Sequence, residues 1–480
     1  MRQNRVGGQR WFSLFGHFNL LIILMSTALC AQSFENFKKV PIKVFSHDKN
    51  IKETAYLSYF KRPWDEYKAQ GVHKLYETSK SHTLLSTKEK KATSVGPKIY
   101  LKLPTLKELS HKNTTLDKAI LFHFYGTTVG FSASNFIKNI RYFPHNQEGI
   151  VRYFKTMLES DYILNLKEIE ATKEELNLND WGVYLLVKQL AQQIYTNEDE
   201  VRLFSWFMLN KMGYDVKVGL FGMRVVTLFY SKNTLYNVPS FRFTNKTYYA
   251  LEYNANDKLE RIYTYEKSFP LAEKALNLQL LVLPKLALNL KTKNISFEYL
   301  DEKYMLSYEY NQNIIDFMAT YPQVDVKVFF NAPMEERTYL SLAKGLKQYV
   351  DTKHASEGID FVLHFVQKAF KYEVDDLQFS QQKTMFAEEA LYYNKSDCED
   401  RAVLFAYLVK KLFGISSVGV LYSNYMTTAL YIPMKGDSVP VGKRRFVIAD
   451  PSYINANIGD LMENYRALKV KKIISLKKEH

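Results

Sequence analysis

With 480 residues, 46% of them hydrophobic and 15% aromatic, the chain is long enough for two or three domains and too apolar to be disordered. Its net charge is +15, but the lysines are scattered (Lys88, Lys90 and Lys91 are the densest early group) and no nucleic-acid-binding motif accompanies them, so nucleic acid is not an expected partner. The sequence has no phosphate-cradling glycine loop, H-E-x-x-H, paired-cysteine site or calcium loop, so no cofactor and no metal is expected.

Arg2, Arg5 and Arg10 precede an apolar run from Leu20 to Ala31 that ends in the small residues Ser26, Thr27, Ala28 and Ala31. This pattern predicts a secretory signal peptide over residues 1–31. The run of about 12 residues falls short of the roughly 20 that span a bilayer. Leu29, just before Cys30, is bulkier than lipoprotein processing accepts. The expected mature protein is therefore periplasmic or extracellular, with no integral membrane segment. Removing three arginines and no acid takes its charge from +15 to +12, and Cys398 is left as its one cysteine, without an internal disulfide.

Residues 32–115 are polar and lysine-rich, with a helix expected over Glu53–Lys68 that places Tyr56, Tyr59, Phe60 and Trp64 on one face. Residues 116–292 open with a hairpin pattern, Ala119–Ser132, built around a glycine. Helical periodicity follows over Glu148–Ser160, Asp180–Tyr195 and Glu198–Met212, the last closed by Gly213. Residues 293–480 repeat that order: Ile295–Tyr310 is strand-rich, then helices are expected over Glu335–Lys353, Ile359–Tyr372 and Glu399–Phe413, closed by Gly414. A shift of 201 residues superposes Glu198/Glu399, Asp199/Asp400, Leu203/Leu404, Phe204/Phe405, Gly213/Gly414, Leu220/Leu421, Thr227/Thr428 and Tyr230/Tyr431. The pattern predicts an α+β protein with an internal duplication.

The chemistry gathers in the second copy. Ser396 or Asp397 can cap the helix that carries Cys398 at its start, where unpaired N–H groups favour a thiolate and the carboxylates of Glu399 and Asp400 oppose it. Strands expected at Ser417–Tyr422, Met426–Ile432 and Arg444–Ala449 lead to Asp450. A thiol at a helix start, a residue leading one strand and a carboxylate ending the next make a nucleophile–base–orienter layout.

DCEDRAVLFAYLVKKLFG, VGVLYSNYMTTALYI and RRFVIADPSYINANIG resemble the cysteine, histidine and aspartate segments of transglutaminase-like domains, members of the papain-like superfamily common in exported bacterial proteins. The resemblance implies two tandem modules, each a helix pair packed on an antiparallel sheet behind a small β-rich segment. It also implies Cys398 as nucleophile and Asp450 as orienter. The histidine position reads Tyr425, and no histidine lies between Cys398 and His480. A phenol titrates near 10 and donates at neutral pH, so Tyr425 is a poor base. His354 and His364 are the nearest substitutes in sequence. In the first module the offset places Asn197 at the cysteine position and Arg224 at the histidine position, with Glu252 roughly opposite Asp450. The expected function is a catalytically impaired envelope module that binds an extended peptide or an anionic polymer. The alternative is a working cysteine amidase, peptidase or acyl transferase. Sequons begin at Asn113, Asn245, Asn294 and Asn394.

Overall fold

A computed structural model describes residues 47–75, 85–106, 118–254, 256–379 and 382–476. The expected signal peptide and the Asn113 sequon lie outside the described residues, while Asn245, Asn294 and Asn394 are exposed. No described helix is long and apolar enough to cross a membrane. The chain divides into two compact units, Met1–Arg62 and Pro63–His480. The described part of the first is helix α1, His47–Phe60, on which Tyr56 stacks against Phe60 at 5.3 Å. The helix expected to run to Lys68 stops at Phe60, because Pro63 disfavours helical backbone before it; Asp65–Lys68 is instead strand β1.

The second unit is mixed α+β. It opens with strands β1 and β2 (Gly71–Val72) and then a hairpin, β3 (Ile120–Phe124) and β4 (Thr127–Phe131). Tyr125 and Gly126 form the turn at φ +43° and +77°, the double positive φ whose twist suits a two-residue hairpin. Helices α2 (Asn135–Lys138), α3 (Gln147–Leu158), α4 (Tyr162–Glu175), α5 (Asp180–Ile194) and α6 (Glu198–Lys211) follow, then strands β5 (Val216–Phe221), β6 (Arg224–Tyr230), β7 (Pro239–Phe243), β8 (Lys246–Tyr249) and β9 (Arg261–Thr264).

A second hairpin, β10 (Leu290–Tyr299) and β11 (Glu302–Asn311), turns at Leu300 and Asp301, again both at positive φ. After it come α7 (Gln312–Ala319), α8 (Lys327–Phe330), α9 (Glu336–Val350), α10 (Ala355–Lys368), β12 (Lys371–Tyr372), α11 (Asp375–Gln378), α12 (Ala387–Tyr392), β13 (Lys395–Ser396) and α13 (Cys398–Phe413). The chain ends in β14 (Ser417–Leu421), β15 (Met426–Leu430), β16 (Ser438–Val441), β17 (Arg444–Ala449), α14 (Glu463–Arg466) and β18 (Lys472–Ser475).

The two large sheets are antiparallel and follow one path. The first runs β1-β9-β5-β6-β8-β7-β2 and the second β16-β17-β15-β14-β18. Read from β7 in the first and from β16 in the second, β7-β8-β6-β5-β9 has the order of β16-β17-β15-β14-β18. The hairpins agree in register: Val216 pairs with Phe229 as Ser417 pairs with Leu430, each 201 residues on.

Residues of the polar N-terminal stretch are built into this unit. β1 and β2 extend the first sheet at its two edges, and Thr87 and Ile99 hydrogen-bond Ile454 and Lys353 of the second module. Helix α13 is buried from Cys398 to Val409, and its stretch Ala402–Val409 is apolar on all sides, as a helix enclosed by protein must be. Its counterpart α6 buries Trp206, whose indole N–H donates to the Val216 carbonyl at 3.1 Å. Trp206→Ala should therefore cost about 3–5 kcal/mol in equilibrium denaturation; a loss under about 1 kcal/mol would show that the indole does not hold this core together.

Candidate functional site

Asp397, not Ser396, caps α13. Its Oδ1 accepts from the Glu399 and Asp400 amides at 3.1 and 3.3 Å, while Asp400 Oδ2 accepts from the Asp397 amide and its Oδ1 from that of Met385. This reciprocal box fixes the first turn and with it Cys398, the first helical residue. Cys398 is 0% exposed; its thiol donates to Glu399 Oε2 at 2.9 Å, and the Met426 amide donates to the sulfur.

Tyr425 precedes β15 at the close of a turn in which the Tyr422 amide donates to its carbonyl. Its hydroxyl donates to Asp450 Oδ1 at 2.6 Å, and its ring stacks on Tyr465 at 4.5 Å. Asp450, the residue after β17, also accepts from the Ser452 amide, and the Gln367 side chain on α10 donates to its carbonyl. The three residues singled out in the sequence thus meet in one buried group.

The electrostatics of that group work against a thiolate. Burial pushes the Cys398 thiol well up, Glu399 and Asp397 push it further, and the Met426 amide opposes them. Burial also raises the Tyr425 phenol, with Asp450 and Cys398 adding to it. Asp450 rises to about 6, mainly by burial. The buried guanidinium of Arg401, lowered to about 10 by desolvation, donates to the carbonyls of Gln367 and Phe370 and lies 5.3 Å from the Tyr372 ring centre.

Neither candidate histidine supplies a base. His364 stacks on Tyr299 at 4.1 Å and shares a hydrogen bond with Asn457, and burial lowers it to about 4. His354 caps α10 with Nδ1 at 2.8 Å from the Gly96 carbonyl oxygen.

The first module keeps the frame and changes the content. Asn197 does not stand at the cysteine position. It is the cap of α6, accepting from the Asp199 and Glu200 amides, and so matches Asp397. The 201-residue offset holds through the hairpin but slips by one at the helix start, because α13 has one more residue between cap and closing glycine. Arg224 does hold the place of Tyr425, since Leu220 pairs with Val225 as Leu421 pairs with Met426. The Val225 amide donates to Asp199 Oδ1 at 3.0 Å, as the Met426 amide donates to the sulfur.

Phe229 pairs with Tyr249, and Leu430 with Val447; three residues beyond each partner lie Glu252 and Asp450. Glu252 is therefore the register equivalent of Asp450. It accepts from Arg202 at 2.6 Å and pairs with Lys188 at 3.1 Å. Burial raises its pKa, yet Lys188 and Arg202 together hold it below the usual carboxylate range. Here the equivalent site is open: a cavity of about 440 Å³ lies between Asp199, Arg202, Arg224, Glu252, Tyr253 and Asp257.

Sequence reasoning missed Asp375. One oxygen each of Asp375, Asp397 and Asp400 lie within 4.8 Å of one another, all buried. A small cation could be shared there, but Asp375 Oδ2 accepts from the Lys383 amide, and the Asp397 and Asp400 carboxylates take the four amides already described, of Met385, Asp397, Glu399 and Asp400. Twenty-two residues separate Asp375 from Asp397, so no local spacing could announce the group. Comparison of the chain with known protein families, characterised proteins and solved structures gives no match.

Asp450 makes stability depend on pH with a definite sign. Its carboxyl rises from 3.8 to about 6 on folding, so its stabilising contribution is present below about pH 4 and is lost as pH climbs through 6. Asp450→Asn keeps the acceptor for Tyr425 and cannot ionise. Measured by denaturation at a series of pH values, the variant should gain on the wild type by on the order of 3 kcal/mol between pH 4 and 7. A difference that stays flat across that range would mean the carboxyl is not shifted.

Proposed function

We propose that this is an exported protein of two duplicated transglutaminase-like modules whose second site is catalytically silent and serves binding or scaffolding in the cell envelope. The observation that carries the reading is the Tyr425 hydroxyl donating to Asp450 at 2.6 Å where a histidine would stand. A base must take up a proton at working pH, and a neutral phenol that burial holds in its protonated form is too weakly basic to take one from a thiol. Losing that role costs on the order of 10² to 10⁴ in rate. The burial of Cys398 also keeps water and substrate from the sulfur. The partner suited to this reading is an extended peptide or an anionic envelope polymer, met by a protein whose net charge is +12 once the three arginines of residues 1–31 are removed from +15.

One contact favours the rival reading, an active cysteine amidase, peptidase or acyl transferase. Glu399 accepts the thiol proton at 2.9 Å and could act as base in place of the histidine. Burial raises that carboxyl too, which leaves it better able to hold a proton but does nothing to expose the sulfur.

Alkylation of Cys398 against pH separates the two. In the silent reading the native thiol reacts far more slowly than in the denatured chain and gains speed only toward about pH 8.5 or above. Tyr425→His should bring the onset toward neutral pH by supplying an imidazole that Asp450 can orient. Rapid alkylation of the wild type at pH 6 would overturn the reading.

A further inference from the structure

We propose that the open cavity of the first module is a binding site for a short free peptide, its terminal carboxylate held by Arg224 and its terminal ammonium by Glu198 and Asp257. This rests on the reading of that module as a non-catalytic counterpart of the second. The two equivalent sites have opposite fates. In the second module Cys398, Tyr425 and Asp450 are 0–2% exposed, and the Tyr425 hydroxyl closes the site by donating to Asp450. In the first, the same place in the fold is a cavity of about 440 Å³, within the range that encloses small ligands.

The charges in it are unlike the rest of the molecule. Glu198, Asp199, Glu252 and Asp257 face Arg202 and Arg224, an acidic excess inside a chain of net charge +15. The inner charges are already paired: Arg202 binds Glu252 at 2.6 Å and Asp199 at 3.0 Å, and Lys188 binds Glu252 from behind. Those ion pairs tie the inner charges of the cavity to one another.

The outer charges are different. Arg224 is exposed and makes no ion pair among the described residues. Glu198 reaches Arg202 only at 4.0 Å, with its side chain 60% exposed. Asp257 is exposed and accepts one local amide, that of Asn254. A planar guanidinium and two carboxylates around one mouth offer a bidentate seat for a carboxylate and a seat for an ammonium group. A ligand carrying one charge alone would leave part of the rim unmatched, so the geometry favours one that carries both.

The test uses the full chain with trialanine as probe, beside N-acetyl-trialanine and trialanine amide, by titration calorimetry. Trialanine should bind saturably, and each capped form should bind at least about tenfold more weakly. Arg224→Ala should abolish the preference for the free carboxylate, and the double variant Glu198→Gln, Asp257→Asn the preference for the free amine. All three residues are exposed, so these variants should fold. No saturable binding up to about 10 mM, or affinity indifferent to the caps or to Arg224→Ala, overturns the proposal. Rapid alkylation of Cys398 would instead sink the silent-site reading and leave this binding untouched.

Discussion

Helix α13 is enclosed by protein from Cys398 to Val409, so the amides of its first turn cannot turn to water. They are met by carboxylates drawn into the interior, Asp397 and Asp400, and a backbone amide from outside the helix, Met385, is tied to the same group. Acids gathered there, with Asp375 and Glu399 beside them, cannot all ionise in a medium that solvates charge poorly. Hydrogen bonds to amides stabilise part of the charge, and the remainder is relieved by holding protons. The thiol in their midst is held in the same protonated form. A helix start in water would favour a thiolate; this one, packed among acids, does the reverse.

The same frame carries different chemistry in the first module. Helix α6 is buried from Leu203 to Lys211 but open at its start, and the polar groups at its cleft are ion pairs: Arg202 and Lys188 against Glu252 and Asp199. Charge pairs of this kind tolerate partial solvation, and the cleft stays open. In the second module the equivalent positions hold a thiol, a phenol and a carboxyl raised to about 6, and these pack as buried, hydrogen-bonded side chains, with the Tyr465 ring stacked on Tyr425. Open and sealed clefts thus follow from which side chains fill one geometry. The fold itself, a helix end facing the mouth of a hairpin and the end of the next strand, is common to both.

Much of this was legible in the sequence because its causes are local. The periodicities of α3, α5, α6, α9 and α13, the closing glycines Gly213 and Gly414, and the two hairpins before the helices rest on residues within a turn or two of one another. The offset of 201 was visible because a hairpin register is a local property that eight identities could mark. So was the substitution at Tyr425, since a histidine is either present in a short window or it is not. Where the sequence misled, a neighbour far along the chain decided. Asp65–Lys68 carries a helical face, yet pairs with Arg261–Thr264 as an edge strand beyond a proline. Asn197 aligned with Cys398 until the cap of α6 showed one residue fewer before its glycine.

What the sequence determined by itself was which side chains are present and the class of element each sits on: a lone thiol opening a helix, a tyrosine leading a strand, an aspartate ending another. Only the tertiary structure decided what those groups can do. The direction of the Tyr425 hydrogen bond, the sealing of Cys398, the gathering of Asp375 with Asp397 and Asp400, and the open counterpart around Arg224 all depend on burial and on charges brought together from distant segments. Protonation and access are properties of an environment, and the environment exists only once the chain has packed.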